Sequence, residues 1–267
     1  DPDVAPAIEA NLAAIATSGL PNYFDDQRFG SRTSAGDFVA VPWCRGDFET
    51  ALKFALAEPS DRDRSDDRRA KERLRARWGD WSGVLRHEAE YPFPVPLRFL
   101  ADRPGDFSGA FVRLPHDLRS LFLNAFQSWL WNRLLSESLP PDDNAMVEIG
   151  GEWLRFPRSL EADSPWRNRN LLLPSAREKF PPGPEKEALA RILSEVGLEE
   201  RELRVKTPRE NFFSKGERAA WFFPQDFAWK TDVDERYPGR RKIVLTFRLP
   251  RGAYATILVK RLELAAG

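Results

Sequence analysis

The chain has 267 residues, 42% hydrophobic and 31% charged, with 41 basic side chains against 41 acidic ones. That is enough apolar material for one or two packed cores. Zero net charge argues against a protein that coats nucleic acid indiscriminately, while local clusters of arginine still permit RNA binding. One cysteine, Cys44, and two histidines, His87 and His116, exclude a disulfide framework and argue against a zinc site. Chemistry is therefore expected to rest mainly on carboxylates, amides and basic groups. Cys44 reads as a packed thiol rather than a nucleophile. No apolar run approaches the ~20 residues that span a bilayer, and no signal peptide opens the chain. The expected setting is the cytoplasm. The missing initiator Met suggests a processed or excised piece.

In chain order, residues 3–18 predict a helix, capped by Asp3, with Val4, Ile8, Leu12 and Ile15 on one face. Gly19 to Gly30 reads as an ordered aromatic loop, since Pro21 disfavours a central strand. Asp47 to Leu56 predicts a short amphipathic helix. Residues 59–77 are intensely charged and read as a loop followed by a helix laced with i,i+4 ion pairs. Prolines and aromatics make 91–107 a connection. Residues 116–138 give the clearest helix, apolar on most sides through Phe122, Phe126, Trp129, Leu130 and Leu134. Short β-like pieces and turns fill 147–183. Another helix follows over 184–196, closed by Gly197. Strands are expected at 202–206, 219–223 and 242–249, the last alternating Ile243, Leu245 and Phe247 against polar neighbours. A turn and then a helix are expected over 251–262, although Thr256, Ile257 and Val259 also suit a strand. The reading is an α+β domain interrupted by a mainly helical stretch over about 46–200.

Three segments carry the functional signal. Pro21-Asn-Tyr-Phe-Asp-Asp-Gln-Arg-Phe-Gly30 gathers an amide, aromatic rings, a glutamine and an arginine. Such groups read base edges, stack on bases and hold phosphate, and they equally make a packed loop. With its Gly19-Leu20 lead-in, the segment resembles the signature of the TruD family of pseudouridine synthases. Asn124-Ala-Phe-Gln-Ser-Trp-Leu-Trp-Asn-Arg133 is similar to that family's long insertion helix. Leu249-Pro-Arg-Gly-Ala-Tyr-Ala-Thr-Ile-Leu-Val-Lys260 is similar to its C-terminal signature, and all three occur in the family's order.

The resemblance implies a pseudouridine-synthase fold: a mixed, mostly antiparallel sheet with a helical insertion. Residues 1–45 and 201–267 would belong to the catalytic domain and 46–200 to the insertion. It implies isomerisation of uridine to pseudouridine, at position 13 of certain tRNAs, on a base flipped out of folded RNA, with no cofactor and no metal. The protein is expected to be a monomer without membrane contact. The family's nucleophilic aspartate lies in a Lys-Asp segment before the Pro-Asn-Tyr-Phe signature, and no such segment precedes Pro21 here. Asp66-Asp67-Arg68-Arg69 looks superficially like it but follows the signature. The chain is therefore expected to need an N-terminal segment and to be inactive alone. The alternative is a non-catalytic RNA-binding module derived from the family.

By the same resemblance, Asn22 orients the base or the loop, Phe24 stacks beside the uracil and Tyr23 packs behind it. Lys260 stands where the family has an arginine that pairs with the catalytic carboxylate, and neighbouring Arg261 is a substitute for it. Gln27 and Arg28 either fix the loop or touch RNA, Arg218 resembles another family arginine near the sheet and is a further candidate RNA contact, and Arg240 and Arg241 belong to a basic cluster with Arg236 and Lys242 that reads as an RNA contact or as a hairpin tip. A second cluster, Arg68 to Arg77, reads as a solvated face balanced by acids. Gln127 and Asn132 read as helix-packing groups.

Overall fold

A computed structural model describes residues 5–86, 91–141 and 143–264, so His87 and the expected cap Asp3 lie outside the described residues. Helix α1 (Ala5–Ser18) ends at Gly19, whose φ of 65° is a left-handed stop. A Cβ there would sit 2.6 Å from the Phe222 carbonyl oxygen, so only glycine lets the two strands approach. Strand β1 (Leu20–Pro21) then pairs antiparallel with β6 (Trp221–Phe222), and the Trp221 indole donates to Ser18 O at 2.6 Å. The first signature is thereby fixed at its start by backbone pairing rather than left as a free loop.

Two compact units divide the chain. The first takes residues 1–25, 135–171 and 217–267. Besides α1, β1 and β6 it holds the antiparallel hairpin of β2 (Asn144–Ile149) and β3 (Glu152–Pro157). Strand β4 (Asn170–Leu172) pairs with β5 (Glu217–Ala219). The antiparallel ribbon of β7 (Gln225–Val233) and β8 (Arg241–Arg248) follows, and α10 (Ala255–Glu263) closes the unit. The fold is α+β, as expected, with its strands in separate pairs: four two-stranded sheets among the described residues.

The second unit, residues 26–134 and 172–216, is helical. It comprises α2 (Ala40–Arg45), α3 (Phe48–Leu56), α4 (Ser65–Ala76), α5 (Trp81–Leu85), α6 (Pro94–Asp102), α7 (Phe107–Phe111), most of α8 (His116–Ser138) and α9 (Pro184–Glu195). Asp47, Asp80 and Asp106 each cap a helix by accepting from a backbone N–H three residues on. Phe122, Phe126, Trp129, Leu130, Trp131 and Leu134 are all buried, which explains why α8 shows no one-sided apolar stripe.

Two expectations are corrected. The 91–107 stretch is not a connection: α6 begins at Pro94, and Pro94 and Pro96 occupy the first turn, where a missing N–H costs nothing. Pro96, Leu97 and Leu100 bury its inner face. Nor is 202–206 a strand. Glu199 and Glu202 satisfy each other's backbone in a capping box around a 3-10 turn at Glu200–Glu202. Among the described residues no strand pairs with this segment, and the local solution stands. Conversely, β7 went unread, although Phe227, Trp229 and Thr231 alternate with Asp226, Ala228 and Lys230 as clearly as β8 does.

Candidate functional site

The first and last signatures meet in the first unit. Past β1 the backbone continues on the β6 side, with Asn22 N–H donating to Ala220 O at 2.9 Å and Asn22 Nδ2 donating to Ala219 O at 2.9 Å. These bonds fix Asn22, which is 5% exposed, and aim its Oδ1 at Arg218 on β5. The Arg218 guanidinium is the centre of the arrangement. Nε donates to Asn22 O at 3.1 Å, while Nη2 reaches Asn22 O, Asn22 Oδ1 and Gly252 O, each at 2.8 Å. Its Cζ lies 3.9 Å from the centre of the Phe24 ring. Gly252 has a φ of 88°, and a Cβ there would come within 3.2 Å of Arg218 Nη1. One cation thus holds the Asn22–Phe24 strand end against the turn of the last signature through charge-assisted bonds and a cation–π contact.

Tyr254 completes the cluster, its ring 6.4 Å from Phe24 in an edge-on arrangement. Tyr23 points the other way. It is fully buried beside Phe156, with its hydroxyl donating to Arg155 O at 2.6 Å. Burial raises its pKa far beyond the usual phenol range, against smaller opposing effects of Ser136 and Arg155, so Tyr23 stays a neutral packing group.

The other expected residues fall in several places. Lys260, on α10, donates to Glu148 O at 3.1 Å. Arg261 is 4% exposed, donates to Arg158 O at 2.7 Å, and keeps a buried Nη1 without a hydrogen-bond partner. Burial, and then the neighbouring Arg158, pull its pKa down. Arg240 and Arg241 belong to the tip and first residue of the β7–β8 ribbon. Arg240 stacks 5.7 Å from Tyr237, and Lys242 pairs with Glu235. Gln27 and Arg28 belong to the second unit, in a 3-10 turn at Asp26–Phe29 where Gln27 is exposed and Arg28 half-buried.

Gln127 donates to Pro174 O and Ser214 O and accepts from Ser214 N–H, a helix-to-loop clasp inside the second unit. The basic face of α4 is matched by acids: Arg69 pairs with Asp66, Lys71 with Asp63 and Arg75 with Glu58. Cys44 is half-buried, and burial followed by the charge of Glu202 pushes its thiol up to about 12. A thiol that stays protonated is no nucleophile. Sequence reasoning missed how closely Arg218, Gly252 and Tyr254 combine. The glycine and the tyrosine were within the quoted signature, but nothing local to Glu217-Arg218-Ala219 says what its arginine touches.

The family model described as tRNA pseudouridine synthase D (TruD) matches residues 1–162 and 168–262. The tRNA pseudouridine synthase D of Leptospira interrogans is 29% identical over 97% of this chain and 66% of its own length. That of Aquifex aeolicus is 30% identical over 93% of this chain and 62% of its own. The chain thus spans just under two thirds of these relatives. A crystal structure from Methanosarcina mazei, assigned by its description to tRNA pseudouridine synthase D, shares the fold with a TM-score of 0.70 at 24% identity, over 95% of this chain and 63% of that one. No helix among the described residues is long and apolar enough to cross a membrane. With both signatures joined by Arg218 and nearly the whole sequence matched, the chain belongs to the tRNA pseudouridine synthase D (TruD) family.

Proposed function

We propose that this chain is the larger part of a tRNA pseudouridine synthase acting on uridine 13. The observation that carries the reading is the Arg218-centred cluster, which assembles Asn22, Phe24 and Tyr254 from two distant signatures into one rigid group. Residues 1–45 and 201–267 belong in this reading to the catalytic domain and 46–200 to its insertion. The reaction breaks the bond from ribose C1′ to uracil N1 and rejoins C1′ to C5, with the proton of C5 leaving and N1 regaining one. Phe24, 8% exposed with one face against Arg218, is the ring that stacks beside the flipped uracil in this reading. Asn22 is held by backbone bonds at a fixed orientation beside it. Lys260 lies on α10 as the cation for the nucleophilic carboxylate, and Arg28, Gln27, Arg218, Arg240 and Arg241 are the proposed RNA contacts. The nucleophilic aspartate comes from a Lys-Asp segment outside these 267 residues, supplied by the same protein and acting without a cofactor in the cytoplasm, with the protein a monomer.

The test is a pseudouridylation assay on tRNA with the chain alone and with the Lys-Asp segment supplied. Tight tRNA binding without turnover by the chain alone, and turnover on addition of the segment, are expected. Turnover by the chain alone would show that its nucleophile is already present. Binding with no turnover in either case would favour the non-catalytic RNA-binding reading. Absence of tRNA binding throughout would overturn both.

A further inference from the structure

The turn that joins β7 to β8 is built from its own hydrogen bonds. Asp234 N–H donates to Arg240 O at 3.0 Å, and Arg240 N–H donates to Tyr237 O at 3.0 Å. The Asp234 carboxylate accepts from the backbone N–H groups of Arg236 and Tyr237 at 2.9 and 3.2 Å. Such an aspartate-centred turn fixes the backbone without a core beneath it. Every residue from Glu235 to Arg241 is exposed. Tyr237 is 59% exposed, and the Arg240 guanidinium lies over its ring, Cζ 5.7 Å from the centre. Among the described residues, Arg240 is the only ring partner of Tyr237.

The charges of the tip are unevenly matched. Residues 230–242 hold five cations against three carboxylates. Lys242 pairs with Glu235, Lys230 lies 3.9 Å from Asp232, and Asp234 is engaged by the turn backbone. Among the described residues no carboxylate lies within ion-pair distance of Arg236, Arg240 or Arg241. Three uncompensated guanidinium groups therefore flank one open aromatic ring. Guanidinium forks match phosphate, and a flat ring matches the face of a base. The two kinds of group alternate over Arg236, Tyr237, Arg240 and Arg241, as phosphate and base alternate along a nucleic-acid strand. Bases inside a duplex are already stacked on one another, so an unpaired base is the one that can use the ring. A polyanion without bases would engage the arginines and leave Tyr237 idle.

We propose that the ribbon tip is a clamp for one unstacked nucleotide of the RNA, with its base on Tyr237 and its flanking phosphates on Arg236, Arg240 and Arg241. The platform takes any of the four bases, since each offers a π-face. Phe24 serves the target uridine in the reading above, so the tip takes another nucleotide. The proposal rests on that reading of the chain as an RNA-modifying protein, and its test separates the two. Binding of tRNA and of a blunt-ended RNA duplex is measured over a range of salt on the intact chain and on Tyr237→Leu, Tyr237→Phe and Arg236→Gln. Both positions are exposed, so no variant threatens the fold. Tyr237→Leu keeps apolar bulk but loses the flat face. It should weaken tRNA roughly tenfold, the size of one lost base stack, with the salt dependence unchanged and the duplex unaffected. Tyr237→Phe keeps the face and should bind tRNA as the parent chain does. Arg236→Gln should lower the salt slope of tRNA binding by about 1, as the loss of one phosphate contact does. Unchanged tRNA affinity in Tyr237→Leu would overturn the clamp and leave the RNA reading standing. Equal weakening of tRNA and duplex by that variant would make Tyr237 a backbone contact and overturn the base platform. A loss in Tyr237→Phe as large as in Tyr237→Leu would assign the effect to the hydroxyl and overturn the stack. An unchanged salt slope in Arg236→Gln would overturn its phosphate contact. Absence of tRNA binding by the intact chain would overturn both the clamp and the RNA reading.

Discussion

The two units are stabilised in different ways. In the helical unit, whole side chains vanish into a core: Phe126 is fully buried between Phe38 and Trp129, at centroid distances of 5.4 and 5.7 Å. In the α+β unit no residue of the β7–β8 ribbon is fully buried, and the candidate site is held by a guanidinium and three carbonyl-type oxygens. Burial scales with area and tolerates no missing volume, whereas a polar clasp fixes geometry with modest net energy. The α+β unit has its own core, with Leu12, Ile15, Tyr23, Phe156, Ile257 and Leu258 at 0% exposure, so the difference teaches that its ribbon and candidate site, rather than the unit as a whole, rely on polar geometry instead of burial.

Breaking the first kind of interaction should have the largest effect. Phe126→Ala should cost about 3–5 kcal/mol in denaturant unfolding, because the surrounding rings cannot close the hole. A cost under about 1 kcal/mol would mean that the core repacks freely and the contrast fails. Cys44 probes the same unit chemically. With its pKa pushed from 9.0 to about 12, its thiolate fraction at pH 8 falls by about a hundred- to a thousandfold. Iodoacetamide labelling of the native chain should slow accordingly relative to unfolded chain, and equal rates would refute the buried thiol. The sign in alkali follows. Above pH 9.0 the unfolded thiol loses a proton that the folded one keeps up to about 12, so stability falls as pH rises through that window, and Cys44→Ser should flatten the fall.

The polar clasp should respond less in stability and more in geometry. Arg218→Ala should cost about 2 kcal/mol, and Arg218→Lys about half as much, since lysine keeps the charge but not the fork. Both variants should free the Phe24 ring, read as averaging of its aromatic NMR signals. An unchanged ring would mean that packing against Tyr254 alone positions it. The smallest effect is expected on the outer face of the ribbon. Val244, 37% exposed, should accept threonine within about ±0.5 kcal/mol, and a larger loss would show that this face is covered in solution.

Much of this molecule was legible in advance. Helices at 116–138 and 184–196 follow from periodicity and from the stops at Pro140 and Gly197, and β8 from strict alternation, because each is a local rule with one answer. Proline misled at α6, where position within the first turn decides whether the ring breaks a helix or starts one. At 202–206 the apparent strand yielded to a capping box, since a strand is stable only with a neighbour that the local sequence does not reveal.

The sequence by itself determined the family signatures, the type of residue at each candidate position and the absence of a cysteine framework. Only the tertiary structure decided that Arg218, nearly two hundred residues from Asn22, is the group that joins them. The reason is physical: a guanidinium has no intrinsic partner, and whether it meets phosphate, carboxylate or carbonyl depends on which backbone oxygens the folded chain brings within about 3 Å.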